Sequence, residues 1–318
     1  MATIGKDIYE AKKLLTEGQV VAIPTETVYG LAGNALNEKV VTTIFEVKNR
    51  PAFDPLIVHS NSLEKIQHFV RDFPETAQKL ARQFWPGPLT LLLPRKDNIP
   101  DLVTSGLENV AVRIPNHPLT LQLLDILDFP LAAPSANPFG YISPTAAAHV
   151  QAQLGTQIPY ILDGGTCNVG IESTIVGFEE GVIIYRLGGI SIEAIEKAVG
   201  TRVEVMAHST SNPAAPGMLK SHYAPRKPVF LQGLESLQQQ YKAEDIGILS
   251  FQRVYPGIPA KNHVVLSEEG SLAEAARCLF AGLRKLDALP VKVIFAELMP
   301  EKELGRAIND RIRRAAAK

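Results

Sequence analysis

The chain has 318 residues, of which 46% are hydrophobic and 20% charged, and a formal net charge of -1 at pH 7. Those values describe an ordinary soluble globular protein, and the length exceeds what one core comfortably serves, so two domains are expected. A charge so near zero argues against a protein that holds nucleic acid mainly by bulk electrostatics, while local basic clusters stay free to take an anionic ligand. The two cysteines, Cys167 and Cys278, lie far apart without metal-ligand spacing, which argues against a disulfide framework or structural zinc and suits a reducing cytosol. Met1 to Ile8 lacks the apolar core of a signal peptide, and no apolar run reaches the ~18 residues a membrane helix needs, so a cytoplasmic protein without a membrane partner is expected.

In chain order, Ile8 to Leu15 has helical spacing and stops at Gly18. Val20 to Ile23 is a short β-branched run ended by Pro24. It delivers Thr25, Glu26 and Thr27, two hydroxyls flanking a carboxylate, to a strand end, where open α/β sheets bind ligands; Gly30 and Gly33 then let the backbone turn. Asn37 is an N-cap for a helix running to Lys48, with Val40, Val41, Ile44 and Phe45 on one face. Strands are predicted at 55–59, 90–93, 110–114, 161–165, 173–176 and 182–185. Leu119 to Leu127 and Ile192 to Val199 read as short helices, and Leu131 to Asn137 as a strand opening into a loop.

Between Thr201 and Pro228 the periodicity fails and the segment reads as a linker, although its His222-Tyr223 pair is unusual for a spacer. Beyond it, strands at 229–231, 246–251, 264–266 and 291–295 alternate with amphipathic helices at 272–286 and 303–314. That is the pattern of a small parallel sheet with crossover helices.

The chain has no phosphate loop, no glycine-rich dinucleotide fingerprint, no nucleophile elbow and no His-Glu-x-x-His, so any nucleotide must be held by scattered side chains. Lys48 and Arg50 flank Asn49 just before Pro51, which extends the chain. Arg113 is one charge in an otherwise apolar strand, and Arg186 follows Val182 to Tyr185 in the same way. Each arginine alone reads as a structural ion pair; several together point to an anionic ligand such as phosphate or carboxylate. Ser135 and Asn137 follow Pro134 in a loop. Ser143 fits a helix cap or a ligand contact equally. His59 ends a strand, where packing or capping competes with a chemical role. Ser173 and Thr174 are also ordinary strand residues, and Trp85 reads as packing.

Taken together, Pro24-Thr-Glu-Thr-Val-Tyr-Gly30, Lys48-Asn-Arg50 with Asp54-Pro-Leu-Ile-Val-His59, Phe84-Trp-Pro-Gly-Pro88, Val110-Ala-Val-Arg-Ile-Pro115, Ala133-Pro-Ser-Ala-Asn137, Glu172-Ser-Thr-Ile175 and His222-Tyr-Ala-Pro225 resemble the YrdC-like family, and more closely its long two-domain form, the threonylcarbamoyl-AMP synthases. The motifs run in family order through the linker; the last domain carries no diagnostic motif. The resemblance implies an α/β fold in which a twisted sheet with a concave cleft (residues 1–200) is followed by a linker and lid (201–228) and a small Rossmann-like domain (229–318). It implies a nucleotidyltransferase that joins L-threonine, bicarbonate or CO2, and ATP into threonylcarbamoyl-adenylate and pyrophosphate, with Mg2+ accompanying the ATP. The adenylate would pass to the tRNA threonylcarbamoyltransferase machinery, which modifies the adenosine beside the anticodon in tRNAs reading codons that start with A.

By motif, Thr27, His59, Arg113 and Ser173 would contact threonine, with the backbone at Ala133 beside it. Lys48, Arg50, Ser135, Asn137, Ser143 and Arg186 would surround the nucleotide, with Asp54 and Asn109 at further nucleotide-contact positions and Tyr223 closing over the ATP. Lys48 and Arg50 carry the catalytic expectation. Two departures stand out: family members often have Asn where Asp54 stands, and Lys220-Ser221 precedes the His-Tyr pair where the family often has an aromatic or basic residue. The metal ligands stay open, with Glu26 one candidate. Attack of a carbamate oxygen on the α-phosphorus needs no protein nucleophile, in keeping with the sequence. Two other readings are a double-stranded RNA-binding module, for which a weak RNA contact would suffice, and a carbamoyl-phosphate-using transferase domain, whose zinc-finger cysteine pairs the chain lacks.

Overall fold

The computed structural model describes residues 1–206, 215–218 and 222–317; Lys220 and Ser221 of the linker motif lie outside the described residues. Eleven strands form one mixed sheet. From one edge they are Thr3–Gly5, Tyr160–Leu162, Val21–Ile23, Gly30–Asn34, Leu131–Ala132, Ile57–His59, Asn109–Arg113, Leu89–Pro94, Thr174–Gly177, Ile183–Arg186 and Glu204–Val205. Antiparallel neighbours predominate around the middle, while Ile57–His59 and Asn109–Arg113 run parallel with His59 opposite Arg113. That register brings the chemistry-bearing ends of two central strands side by side.

The helix Glu38–Lys48 packs on this sheet. The Asn37 side chain accepts from the backbone of Lys39 and Val40, which satisfies two of the orphan donors at its start. Gly33 permits the close approach, since a Cβ there would lie 2.6 Å from Val40 Cγ1. The strand Gly30–Asn34 is not one that its Gly-Leu-Ala-Gly-Asn sequence suggests; it exists because Val21–Ile23 and Leu131–Ala132 pair with it on both sides. The helices Leu63–Gln67, Glu75–Phe84 and Leu234–Gln240 were likewise not expected, while the helix expected to start at Ser143 and Pro144 begins at Ala147 and runs to Leu154. Within the predicted linker, Glu204–Val205 adds an edge strand beside Ile183–Arg186.

The second sheet is fully parallel, in the order Val229–Phe230, Val293–Ala296, Ile246–Ser250, His263–Val265. The helices Leu272–Ala288 and Leu304–Ala316 bury their apolar stripes in a core that also takes in Val28, Ile142 and Ile171 from the first part of the chain. Polar contacts reinforce this seam. The buried Asp287 carboxylate accepts from Tyr141 Oη (2.6 Å), from the Arg226 backbone and Nε (2.9 Å each) and from the Lys227 backbone (3.3 Å). Among the described residues no helix is long and apolar enough to cross a membrane.

Candidate active site

The strand ends of the first sheet surround a single cavity into which hydroxyls and guanidinium groups converge. At its base, the turn after Val21–Ile23 is set by Thr25, whose Oγ1 donates to Val28 O (2.6 Å), accepts from the backbone of Thr27 and Val28, and meets Thr27 Oγ1 at 2.8 Å. This hydroxyl network holds Thr27 in place. Gly30 keeps the wall thin, because a Cβ there would stand 3.1 Å from Ala133 Cβ.

Arg113 ends its strand beside this turn and is 4% exposed. Its Nη2 pairs with Glu26 Oε1 at 2.7 Å, Nη1 donates to Thr27 Oγ1 at 3.0 Å, and Nε donates to Gly87 O. The ion pair with Glu26 and a place in the cavity lining coexist for this arginine. His59 lies in register with it, its Nδ1 3.2 Å from Ile57 O. Burial, helped by the Arg113 charge, pushes the His59 pKa down to about 3, so the ring is neutral at physiological pH.

Across the cavity Ser173 Oγ meets Thr90 Oγ1 at 2.7 Å and accepts from Arg186 Nη2 at 3.0 Å; Arg186 Nε donates to Ser173 O. Burial lowers the Arg186 pKa to about 10, which leaves it a cation at neutral pH. The third cationic wall is Arg50, which pairs with Asp54 Oδ2 at 2.9 Å and donates to the carbonyls of Asp54 and Pro55.

The linker forms the remaining wall through Pro216, Gly217, His222 and Tyr223. Arg186 Nη1 donates to Pro216 O, and the Gly217 N–H donates to Asp54 Oδ1. Gly217 has φ +74°, and a Cβ there would lie 3.0 Å from Arg186 Nη1, so two separate constraints call for glycine. Ala215 and Met218 anchor the segment against Ile57, Ala111, Ile175 and Tyr185. Tyr223 meets His222 edge to face and packs at a tilt against Phe280, and Arg314 lies 4.7 Å over its ring. Burial and then the surrounding cations, Arg314 first, hold the His222 pKa well below the usual imidazole value.

Of the residues picked out in the sequence, Thr27, Arg50, His59, Arg113, Ala133, Ser135, Ser173, Arg186 and Tyr223 all line this one cavity. The other five do not. Lys48 is buried, with Nζ 2.5 Å from the carbonyl oxygens of Ser135 and Asn137, so it braces the loop behind the cavity. Burial, then the nearby Arg50 charge, lowers its pKa well below that of an ordinary lysine. Asp54 is the partner of Arg50. Asn137 donates to Pro138 O and Tyr141 O from the same loop. Ser143 is no helix cap, since the next helix starts at Ala147; its Oγ donates to Glu172 Oε1 at 2.6 Å. Asn109 stands at the far end of its strand from Arg113 and donates to Glu179.

Sequence reading missed Thr90 as a site component, placed Pro216 and Gly217 only within the lid segment without naming them, and gave no signal for Arg311 and Arg314, which reach the site's rear from the last helix. Among the described residues no three His, Cys, Asp or Glu side chains converge as a metal cage, and Glu26 is turned to Arg113.

Residues 13–188 match the Sua5_yciO_yrdC family model, described as telomere recombination, and residues 190–317 match the Sua5_C model, the C-terminal domain of threonylcarbamoyl-AMP synthase. A threonylcarbamoyl-AMP synthase of Pyrococcus abyssi (strain GE5 / Orsay) is 40% identical over 321 residues, spanning 96% of this chain and 93% of its own. One from Bacillus subtilis (strain 168) is 38% identical over 329 residues, spanning 99% and 94%. The crystal structure of P. abyssi Sua5 complexed with L-threonine superimposes with a TM-score of 0.90 at 37% identity, covering 99% of this chain and 97% of that one. With both domain families matched in order and relatives aligned end to end, the chain belongs to the two-domain threonylcarbamoyl-AMP synthases.

Proposed function

We propose that this chain makes L-threonylcarbamoyladenylate and pyrophosphate from L-threonine, bicarbonate or CO2, and ATP. The observation that carries the reading is the meeting, in one cavity, of Arg113 beside two hydroxyls with two further buried cations, Arg50 and Arg186. That is a site for an amino-acid carboxylate next to a polyphosphate.

Arg113 receives the threonine carboxylate, with Glu26 holding its guanidinium and Thr27 and Ser173 offering hydroxyls to the substrate. Neutral His59 leaves the amine without a competing cation. Threonine's amine, once it has lost its proton, adds CO2 to give a carbamate; a carbamate oxygen then attacks the α-phosphorus of ATP and the bond to the β-phosphate oxygen breaks. Arg50 and Arg186 stabilise the charge that grows on the departing pyrophosphate, and the work of the protein is positioning and electrostatics. Lys48 joins them by leaving the carbonyls of Ser135 and Asn137 for a phosphate oxygen. Mg2+ arrives with ATP as part of that substrate. The linker wall keeps water from both the carbamate and the mixed anhydride. The adenylate serves the tRNA threonylcarbamoylation machinery of the cytoplasm.

Cations buried at the walls of one cavity suit a small anion better than a duplex, which disfavours the RNA-binding alternative. The test is pyrophosphate release from ATP. Release that requires both threonine and bicarbonate is expected; release indifferent to either, or none, overturns the reading.

A further inference from the structure

The second domain sends one side chain into the machinery of the first. Arg311, on the helix Leu304–Ala316, is 0% exposed. Its Nε donates to Glu172 Oε2 at 3.1 Å, and its Nη1 donates to Leu187 O at 2.6 Å and pairs with Asp310 Oδ2 at 2.8 Å. Its guanidinium also lies 5.3 Å over the ring of Tyr223. Glu172 and Leu187 are the chain neighbours of Ser173 and Arg186, the two residues that form one wall of the cavity and touch each other at 3.0 Å. A single fork thus spans the two strand ends that carry that wall. Glu172 itself lines the cavity, and its second oxygen accepts from Ser143.

We propose that Arg311 is a positioning residue for the nucleotide half of the site, acting by keeping the Glu172 carboxylate away from Arg186, and that the second domain is thereby part of the catalytic unit. The proposal rests on the functional reading above. Its physical basis is competition between cations for one buried anion. Arg186 lines the same cavity as Glu172 and is hydrogen-bonded to Ser173, the next residue in the chain, and a buried carboxylate stripped of its partner turns to another cation within reach. Without Arg311, Glu172 draws on Arg186 and takes from it the capacity to meet a phosphate. A residue that only filled space would have no such effect on charge.

Kinetics of pyrophosphate release by the full chain test this, with folding followed by circular dichroism and thermal melting. Arg311→Gln is expected to raise the KM for ATP at least about tenfold, with a smaller change in the KM for threonine. Arg311→Lys, which keeps the charge but cannot span both partners, falls between. Adding Glu172→Gln to Arg311→Gln removes the competing anion and is expected to recover about threefold or more of the lost ATP affinity. An unchanged KM for ATP in folded Arg311→Gln overturns the proposal, as does a double variant no better than the single one. Should Arg311→Gln not fold, Arg311→Lys with and without Glu172→Gln makes the same comparison. Titration with a non-hydrolysable ATP analogue reads the shift without turnover. A parent chain that binds the analogue yet releases no threonine-dependent pyrophosphate therefore overturns the functional reading alone.

Discussion

The two sheets differ in a way that runs against topology. The four-stranded sheet is fully parallel with crossover helices, the arrangement whose carboxyl ends usually bind ligands. There, however, Glu297 accepts from the Phe251 backbone at 2.9 Å and pairs with Arg253, so these groups serve each other. The eleven-stranded mixed sheet is less regular, yet it gathers Arg50, Arg113 and Arg186 around a cavity. Where buried charge has been placed locates the chemistry better than strand order does. The parallel sheet contributes from a distance, through the helix that packs on it.

The predictions test that contrast. If the mixed sheet alone holds the phosphates, Arg50→Ala should lower the kcat/KM for ATP about a thousandfold or more, and Lys48→Ala should do so comparably; pyrophosphate assays showing unchanged rates for both would remove the phosphate assignment. If the parallel sheet matters through the seam, a fragment ending at residue 206 should fold yet lose about a hundredfold in activity; full activity would reduce the second domain to an appendage.

Acid sensitivity should also belong to the mixed sheet. His59 is neutral in the fold, its pKa pushed down to about 3 by burial, while the unfolded chain takes up a proton near pH 6.5. The unfolded state then binds more protons, so stability falls as pH drops from 6.5 toward 3, by about 1.4 kcal/mol per pH unit for this residue. Denaturant melts should show His59→Gln with a flatter dependence; an identical slope would sink the assignment. The smallest effect is expected from Gly217→Ala. Its φ of +74° and the approach to Arg186 cost about 1 kcal/mol, or roughly a fivefold rise in the KM for ATP, with the threonine KM little changed.

Much of this was legible where local physics decides. The helix Ile192–Val199 has its expected bounds, and most strands lie within a residue or two of theirs, because apolar periodicity and caps are local properties. The strand Gly30–Asn34 was hidden by its two glycines and is imposed by its neighbours. The turn Thr25–Thr27 could be read because the strand before it and Pro24 mark its place. Arg311 could not. In the sequence Ile308-Asn-Asp-Arg-Ile-Arg-Arg314 its charge resembles the wet face of an amphipathic helix, and only the docking of that helix on the first sheet buries it. Lys48 was read as a cation for phosphate; the carbonyls that occupy it arrive from a loop some ninety residues away in sequence, a distance motif reading does not cross.

Asp287 carries a mechanical consequence. One carboxylate is shared by a loop of the first part, the exit of the linker and the long helix of the second. Such a rivet does not yield by degrees, because hydrogen bonds are directional and a small slip of any one segment strains the donors from the others together. The two halves therefore part abruptly or stay joined, and intermediate gaps between them are costly.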